Sequence, residues 1–173
     1  MTPEPAPENA YWPAHAALLL HSYQHWTGRA LLVDDTTAHA LYHAPFAVLS
    51  HDAAPDPCFT YANLVAQTAF EMPWSEIIGL PSRHSAEPPA QTERAHLLER
   101  VATQGYISDY SGVRITRSGK RFLIQQATVW NLLDPQGKRL GQARLSWGST
   151  MPWHADSSAR RSSNSRAWPT NWR

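Results

Sequence analysis

The 173-residue chain has a single cysteine, Cys58. That excludes an internal disulfide framework and any zinc site built on several thiolates. Long apolar runs are also missing. The longest, Ala16–Leu20, is far short of the roughly 20 residues that span a bilayer. The opening MTPEPAPEN is acidic and proline-rich, the reverse of a secretory signal's charged-then-apolar start. No Gly-x-Ser-x-Gly elbow, phosphate-cradling glycine loop or paired-carboxylate motif occurs, and no internal repeat. These absences lead us to expect a cytoplasmic protein with no membrane contact.

What is present is core-forming material. Apolar residues make up 42% of the chain, with eight tryptophans among them. The length suits one domain with extensions. We expect a disordered N-terminus (1–10), a domain (11–148) and a low-complexity, disordered tail (149–173). The formal net charge is +1, but residues 152–173 hold four arginines and one aspartate, so the rest of the chain is slightly acidic. A basic balance confined to a Ser/Arg tail does not predict direct nucleic-acid binding by the domain.

Trp12, Ala16, Leu19, Tyr23, Trp26, Ala30 and Val33 step by four and three, which places them on one helix face. Gly28 marks a kink or early end. The stripe suits packing on the chain's own domain and equally a partner helix in a homodimer. A short helix is expected over Thr36–Ala44. FAVLSH (46–51) and CFTYA (58–62), separated by DAAPDP, read as antiparallel strands. Asn63 caps a helix over 63–71, and SEII forms a further turn that Gly79 ends. From Pro89 to Gln104 a helix packs Leu97, Leu98 and Val101, with Glu93, Arg94, Glu99 and Arg100 facing water. Three strands follow, Tyr106–Arg117, Lys120–Leu133 and Lys138–Trp147, in a meander. In the last, Ala143, Leu145 and Trp147 alternate with Gln142, Arg144 and Ser146, predicting one buried and one wet face. The middle strand is apolar on both faces from Ala127, so the N-terminal helix is expected to cover its second side.

This order, and the stretches LSHDAAPDPCFTYAN (49–63), FEMPWSEIIGLPSRHSAEP (70–88), ERAHLLERVATQGYISDYSGVRI (93–115) and RFLIQQATVWNLLDPQGKRLGQA (121–143), resemble the MEKHLA domain. That PAS-like module occurs at the C-terminus of plant class III homeodomain–leucine zipper proteins and as stand-alone bacterial proteins. The resemblance covers about residues 14–147 and implies an α+β fold. It predicts a five-stranded antiparallel sheet with short helices on one face and an N-terminal helix against the other. It also implies a non-enzymatic sensory or regulatory module.

Three chemistries compete with this reading. Light-sensing PAS domains need a reactive cysteine three residues past the glycine of the Glu-Ile-Ile-Gly-like stretch. Ser82 stands there, and serine forms no thiol adduct. The triplet Trp130-Asn131-Leu132 is similar to a flavin-binding strand but stands out of register, three residues before Asp134. For haem, the axial-ligand position counted back from Gly105 falls nearer Arg94 than His96. His21 and His25 share a helix face but lack a third metal ligand, so no metal is expected. Ser82, His84, Ser85 and Glu87 are neighbours in sequence, which does not make a catalytic triad.

The function expected is binding of a small ligand between sheet and helical cap. Tyr61, Phe70, Trp74, Trp130 and Gln126 are candidate pocket residues, with Arg83 and Tyr110 as polar anchors. The alternative is a ligand-free dimerisation or interaction module, and a small hydrolase is the third.

Overall fold

The computed structural model describes residues 2–147 and 151–152. Its helices are α1 (Pro13–Thr27), α2 (Ala38–Tyr42), α3 (Leu64–Phe70), α4 (Trp74–Ile77) and α5 (Pro88–Gln104). The strands are β1 (Ala47–Asp52), β2 (Phe59–Ala62), β3 (Tyr106–Ile115), β4 (Arg121–Leu133) and β5 (Arg139–Ser146). They form an antiparallel sheet in the order β2-β1-β5-β4-β3. A two-residue strand, β6 (Met151–Pro152), pairs with Phe122 and Leu123 of β4. The remainder of the expected tail lies outside the described residues.

The five-stranded α+β architecture is the expected one, and both faces of its sheet are covered. On one face Val48, Tyr61, Trp130, Leu132, Ala143 and Leu145 pack beneath α1. On the other, Leu49, Phe59, Ala127, Val129 and Ile107 pack beneath α3, α4 and α5. Side chains alternate across a strand, so neighbouring residues enter different cores.

Pro13 opens α1 and Gly28, at φ +70°, ends it. The apolar stripe therefore holds only as far as Trp26. Ala30 and Val33 fall beyond the helix, with Val33 82% exposed, and Leu31 turns inward instead. Side chains pin α1 to the sheet. Ser22 Oγ accepts the Leu133 N–H at 2.9 Å, and the Trp26 indole N–H donates to the Asn131 carbonyl at 2.9 Å. The Trp26 ring lies over Gly105, where a Cβ would come within 2.3 Å of it. The stripe thus covers the chain's own sheet, while His21, Gln24 and His25 face outward.

The expectation of disorder over residues 1–10 is corrected for residues 2–10. Pro5 is buried, Tyr42 donates its hydroxyl to Glu4, and the Trp74 indole N–H reaches the Thr2 carbonyl at 2.9 Å. Prolines limit what such a segment loses on ordering, and Glu4 supplies an acceptor for a hydroxyl that would otherwise lack one.

Asn63 is fully buried and does more than cap α3. Its Oδ1 accepts from the Ala66 and Val48 N–H groups at 3.1 and 2.9 Å. Its Nδ2 donates to the Phe46 carbonyl at 2.7 Å and the Leu41 carbonyl at 3.4 Å. One amide thereby joins α2, β1 and α3. Replacing Asn63 with alanine orphans these buried backbone groups. It should lower stability by about 3 kcal/mol or more, read as a reduced urea midpoint at unchanged m. A loss below about 1 kcal/mol would contradict this role.

Candidate functional site

The polar face of β5 lies under the helical cap, with Gln142 and Ser146 buried and Arg144 partly so. Across the sheet's centre one row reads Ala62, Leu49, Arg144, Val129 and Ile107, an arginine in the middle of an apolar row. The next row places His51 opposite Gln142, and Gln142 opposite Asn131. All of these point towards α5. Gln142 is 1% exposed and Ser146 9%, so the expected wet face is corrected to a face under the helical cap. Arg94 needs the same correction. It sits three and seven residues before Leu97 and Val101, which turns it inward, and it is 7% exposed.

Two polar side chains dock α5. Asn131 Nδ2 donates to the Val101 carbonyl at 2.8 Å. Gln142 Nε2 donates to the Leu98 carbonyl at 2.9 Å and to Asn131 Oδ1 at 3.1 Å. Beside them a cleft of about 40 Å³ is bordered by His51, Arg94, Arg114, Gln142 and Arg144, with Leu49, Leu97 and Val129 as apolar walls.

Three guanidinium groups thus reach one small interior space from α5, β3 and β5. Arg94 donates to Ser82 Oγ. Arg114 donates to Tyr110 Oη at 2.7 Å and to the Val113 carbonyl at 2.8 Å. Arg144 lies 5.6 Å from the Phe70 ring centroid. None of these partners carries a negative charge. The ion pairs among the described residues are elsewhere: Arg83–Asp56, Arg117–Glu76, Lys120–Glu71 and Arg121–Glu87. Among the same residues, five buried side-chain polar atoms have no partner. Three of them, Arg114 Nε, Gln142 Oε1 and Arg144 Nε, belong to cleft residues.

Burial, reinforced by the other guanidiniums, pushes Arg144 down to about 9 and Arg94 down to about 10. Both stay charged at neutral pH. Burial holds His51 neutral, at about 4, with Arg94 and Arg144 acting in the same direction. Its Nδ1–H donates to the Asp52 carbonyl at 2.8 Å, which leaves Nε2 as an acceptor.

Of the seven expected pocket residues, the structure brings only Phe70 and Tyr110 to this cluster. Tyr61, Trp74 and Trp130 lie on the opposite side of the sheet. There His15 stacks on Tyr61 at 5.3 Å, Tyr61 meets Trp74 at 6.0 Å and Tyr23 meets Trp130 at 5.1 Å. Arg83 is at the surface, paired with Asp56. Gln126 is exposed at φ +50°, in a bulge, and lines an open groove of about 710 Å³ beside α3. That groove adjoins the residues with which β6 pairs, and its lining lacks the inward-facing arginines.

The hydroxyls of the former catalytic candidate donate to backbone: Ser82 to the Pro57 carbonyl at 2.8 Å and Ser85 to the Ser82 carbonyl at 2.7 Å. His84 is exposed and Glu87 pairs with Arg121. No nucleophile–base pair is assembled from these residues.

The profile of the MEKHLA domain matches residues 13–148. The chain belongs to the MEKHLA domain family. Its fold is similar to that of a PAS domain from Colwellia psychrerythraea, with a TM-score of 0.56, 16% identity, and coverage of 65% of this chain and 93% of that one. A light-oxygen-voltage domain studied with a flavin analogue gives 0.51 at 21% identity, covering 65% and 83%. An RNA-binding light-oxygen-voltage receptor gives 0.55 at 18% identity, covering 65% of this chain and 32% of that one. No curated protein matches. At these identities the structural likeness establishes the PAS-like fold of this MEKHLA domain and nothing of its ligand.

The residues present do not fit a flavin. A cleft of about 40 Å³ holds on the order of three waters, whereas cofactor pockets run to roughly 300 Å³ or more. Three charged side chains occupy the middle of the interior, and Ser82 Oγ is engaged by Arg94 and Pro57. His96 is exposed on the outer side of α5. Among the described residues no group of three histidine, cysteine or carboxylate side chains could hold a metal ion. No described helix is long and apolar enough to cross a membrane.

His51 and His15, both at about 4 against the usual 6.5, bind fewer protons folded than unfolded between those values. Their contribution to stability is complete above pH 6.5 and is lost as pH falls towards 4. NMR titration of the ring protons should show both histidines titrating near pH 4. Midpoints near 6.5 would show that these rings are not buried as described.

Proposed function

We propose that this MEKHLA domain is a non-enzymatic sensory or regulatory module that binds a small polar ligand in the cleft between β5 and α5. The observation that carries the proposal is the set of orphaned buried polar atoms on Arg114, Gln142 and Arg144 around one cleft. Buried polar groups are nearly always satisfied, and each one left unpaired costs about 1–3 kcal/mol. A ligand with its own polar atoms removes that cost when it enters.

The same cleft has a physical route to the N-terminal helix. Gln142 borders the cleft and bonds the Asn131 side chain, while the Asn131 carbonyl accepts from Trp26 of α1. A ligand that reorients Gln142 therefore acts on a residue that holds α5 with its side chain and α1 with its backbone. Sensing would consist of a shift in how tightly α1 is held.

Thermal melting of the purified full chain against a metabolite library tests the proposal. A ligand at about a hundredfold excess over its Kd should raise Tm by roughly 5 °C or more. Native mass spectrometry should show a one-to-one adduct. A Tm indifferent to the library, with only the bare mass, would contradict it. If such a protein were also dimeric by light scattering, it would be the ligand-free dimerisation module instead.

A further inference from the structure

We infer that the group recognised in the cleft is a compact oxyanion, a carboxylate or phosphate, held jointly by Arg94, Arg114 and Arg144. This deepens the proposed function and rests on it.

Charge is the first ground. Three guanidiniums line one interior cleft, and the hydrogen-bond partners they have are neutral hydroxyls and a backbone carbonyl. Burying one charge is unfavourable unless it is paired, and burying like charges together adds mutual repulsion. An anion reverses both effects, and the guanidinium fork is the side-chain geometry that best matches a carboxylate or phosphate. The cleft's described lining holds no carboxylate, and Asp52, beside His51, lies outside that lining. His51 is neutral, and Tyr110 presents a phenol hydrogen-bonded to Arg114.

Preorganisation is the second ground. Ser82 holds Arg94 while itself anchored on Pro57, and the Val113 carbonyl and Tyr110 hold Arg114. Gly112 permits the latter arrangement. A Cβ there would lie 2.1 Å from Tyr110 Oη and 3.2 Å from Arg114 Nη1. These contacts fix two guanidiniums in place and leave Arg114 Nε, like Arg144 Nε, without an acceptor.

Size is the third ground. About 40 Å³ admits a single oxyanion head and little more.

The test is thermal melting and calorimetric titration of the full chain with inorganic phosphate, acetate and the neutral isostere acetamide, against chloride at matched ionic strength. Phosphate or acetate should raise Tm above chloride, and acetamide should not. The stronger of the two identifies the head group. Arg144→Met should raise the ligand-free Tm, because it removes an uncompensated buried charge, and should weaken anion binding by tenfold or more. Arg83→Gln, at the surface, should keep the anion response. Arg94→Met provides the same readout should the Arg144 variant fail to fold.

Anion stabilisation that survives in the Arg144 and Arg94 variants would be a general salt effect and would overturn the inference. Equal stabilisation by acetamide would overturn the oxyanion while leaving the ligand-binding proposal standing. A chain indifferent to these probes yet stabilised by an uncharged library compound would do the same. Indifference to probes and library alike would overturn both.

Discussion

Three positive charges share one small interior space with no carboxylate paired to them among the described residues, and the cap above them is docked under that constraint. Arg94, Arg114 and Arg144 come from different elements, so their meeting is a property of the tertiary fold. Other polar side chains keep the same region docked. Asn131 and Gln142 bond the carbonyls of Val101 and Leu98, so the helix above the arginines is held by hydrogen bonds as well as by Leu97 and Val101. The cap is thereby fixed over charges that disfavour a closed interior. This opposition between docking and repulsion is what the proposed anion would relieve.

Covering both faces of the sheet makes the arrangement stable enough to exist. The α1 side is a conventional core, with Leu19, Trp130, Leu132 and Leu145 buried and aromatic rings meeting edge-on. Asn63 joins α2, β1 and α3 through backbone groups of each. The N-terminal residues close that side through Glu4 and Thr2. One core supplies stability while the other carries polar and charged groups. Proteins commonly offset a locally unfavourable cluster with stability built elsewhere.

The elements were largely legible in the sequence because their boundaries have local causes. Asn63 caps α3, Gly28 and Gly105 stop helices at positive φ, and Asp134–Gly137 turns β4 into β5. The site was not legible, for two reasons. Alternation in β5 shows which residues share a face, but not whether that face meets water, so Gln142, Arg144 and Ser146 looked solvated. The i, i+3, i+7 spacing of Arg94 with Leu97 and Val101 was the available signal, outweighed by its charge. The aromatic candidates were divided by parity. Tyr61 and Trp130 point towards α1, and the irregular pairing around Tyr110, with the bulge at Gln126, interrupts counting along β3 and β4. Family resemblance supplies the architecture, whereas the charge of the interior is read only from how Arg94, Arg114 and Arg144 pack.

The most direct measurement is an NMR spectrum of the arginine Nε–Hε groups, recorded with and without inorganic phosphate. Slowly exchanging signals from Arg114 and Arg144 that move together on addition of phosphate, while the Arg83 signal stays in place, are the predicted result. Rapid solvent exchange at Arg114 and Arg144 in the free protein, or signals that ignore the anion, would contradict a buried guanidinium cluster built to receive one.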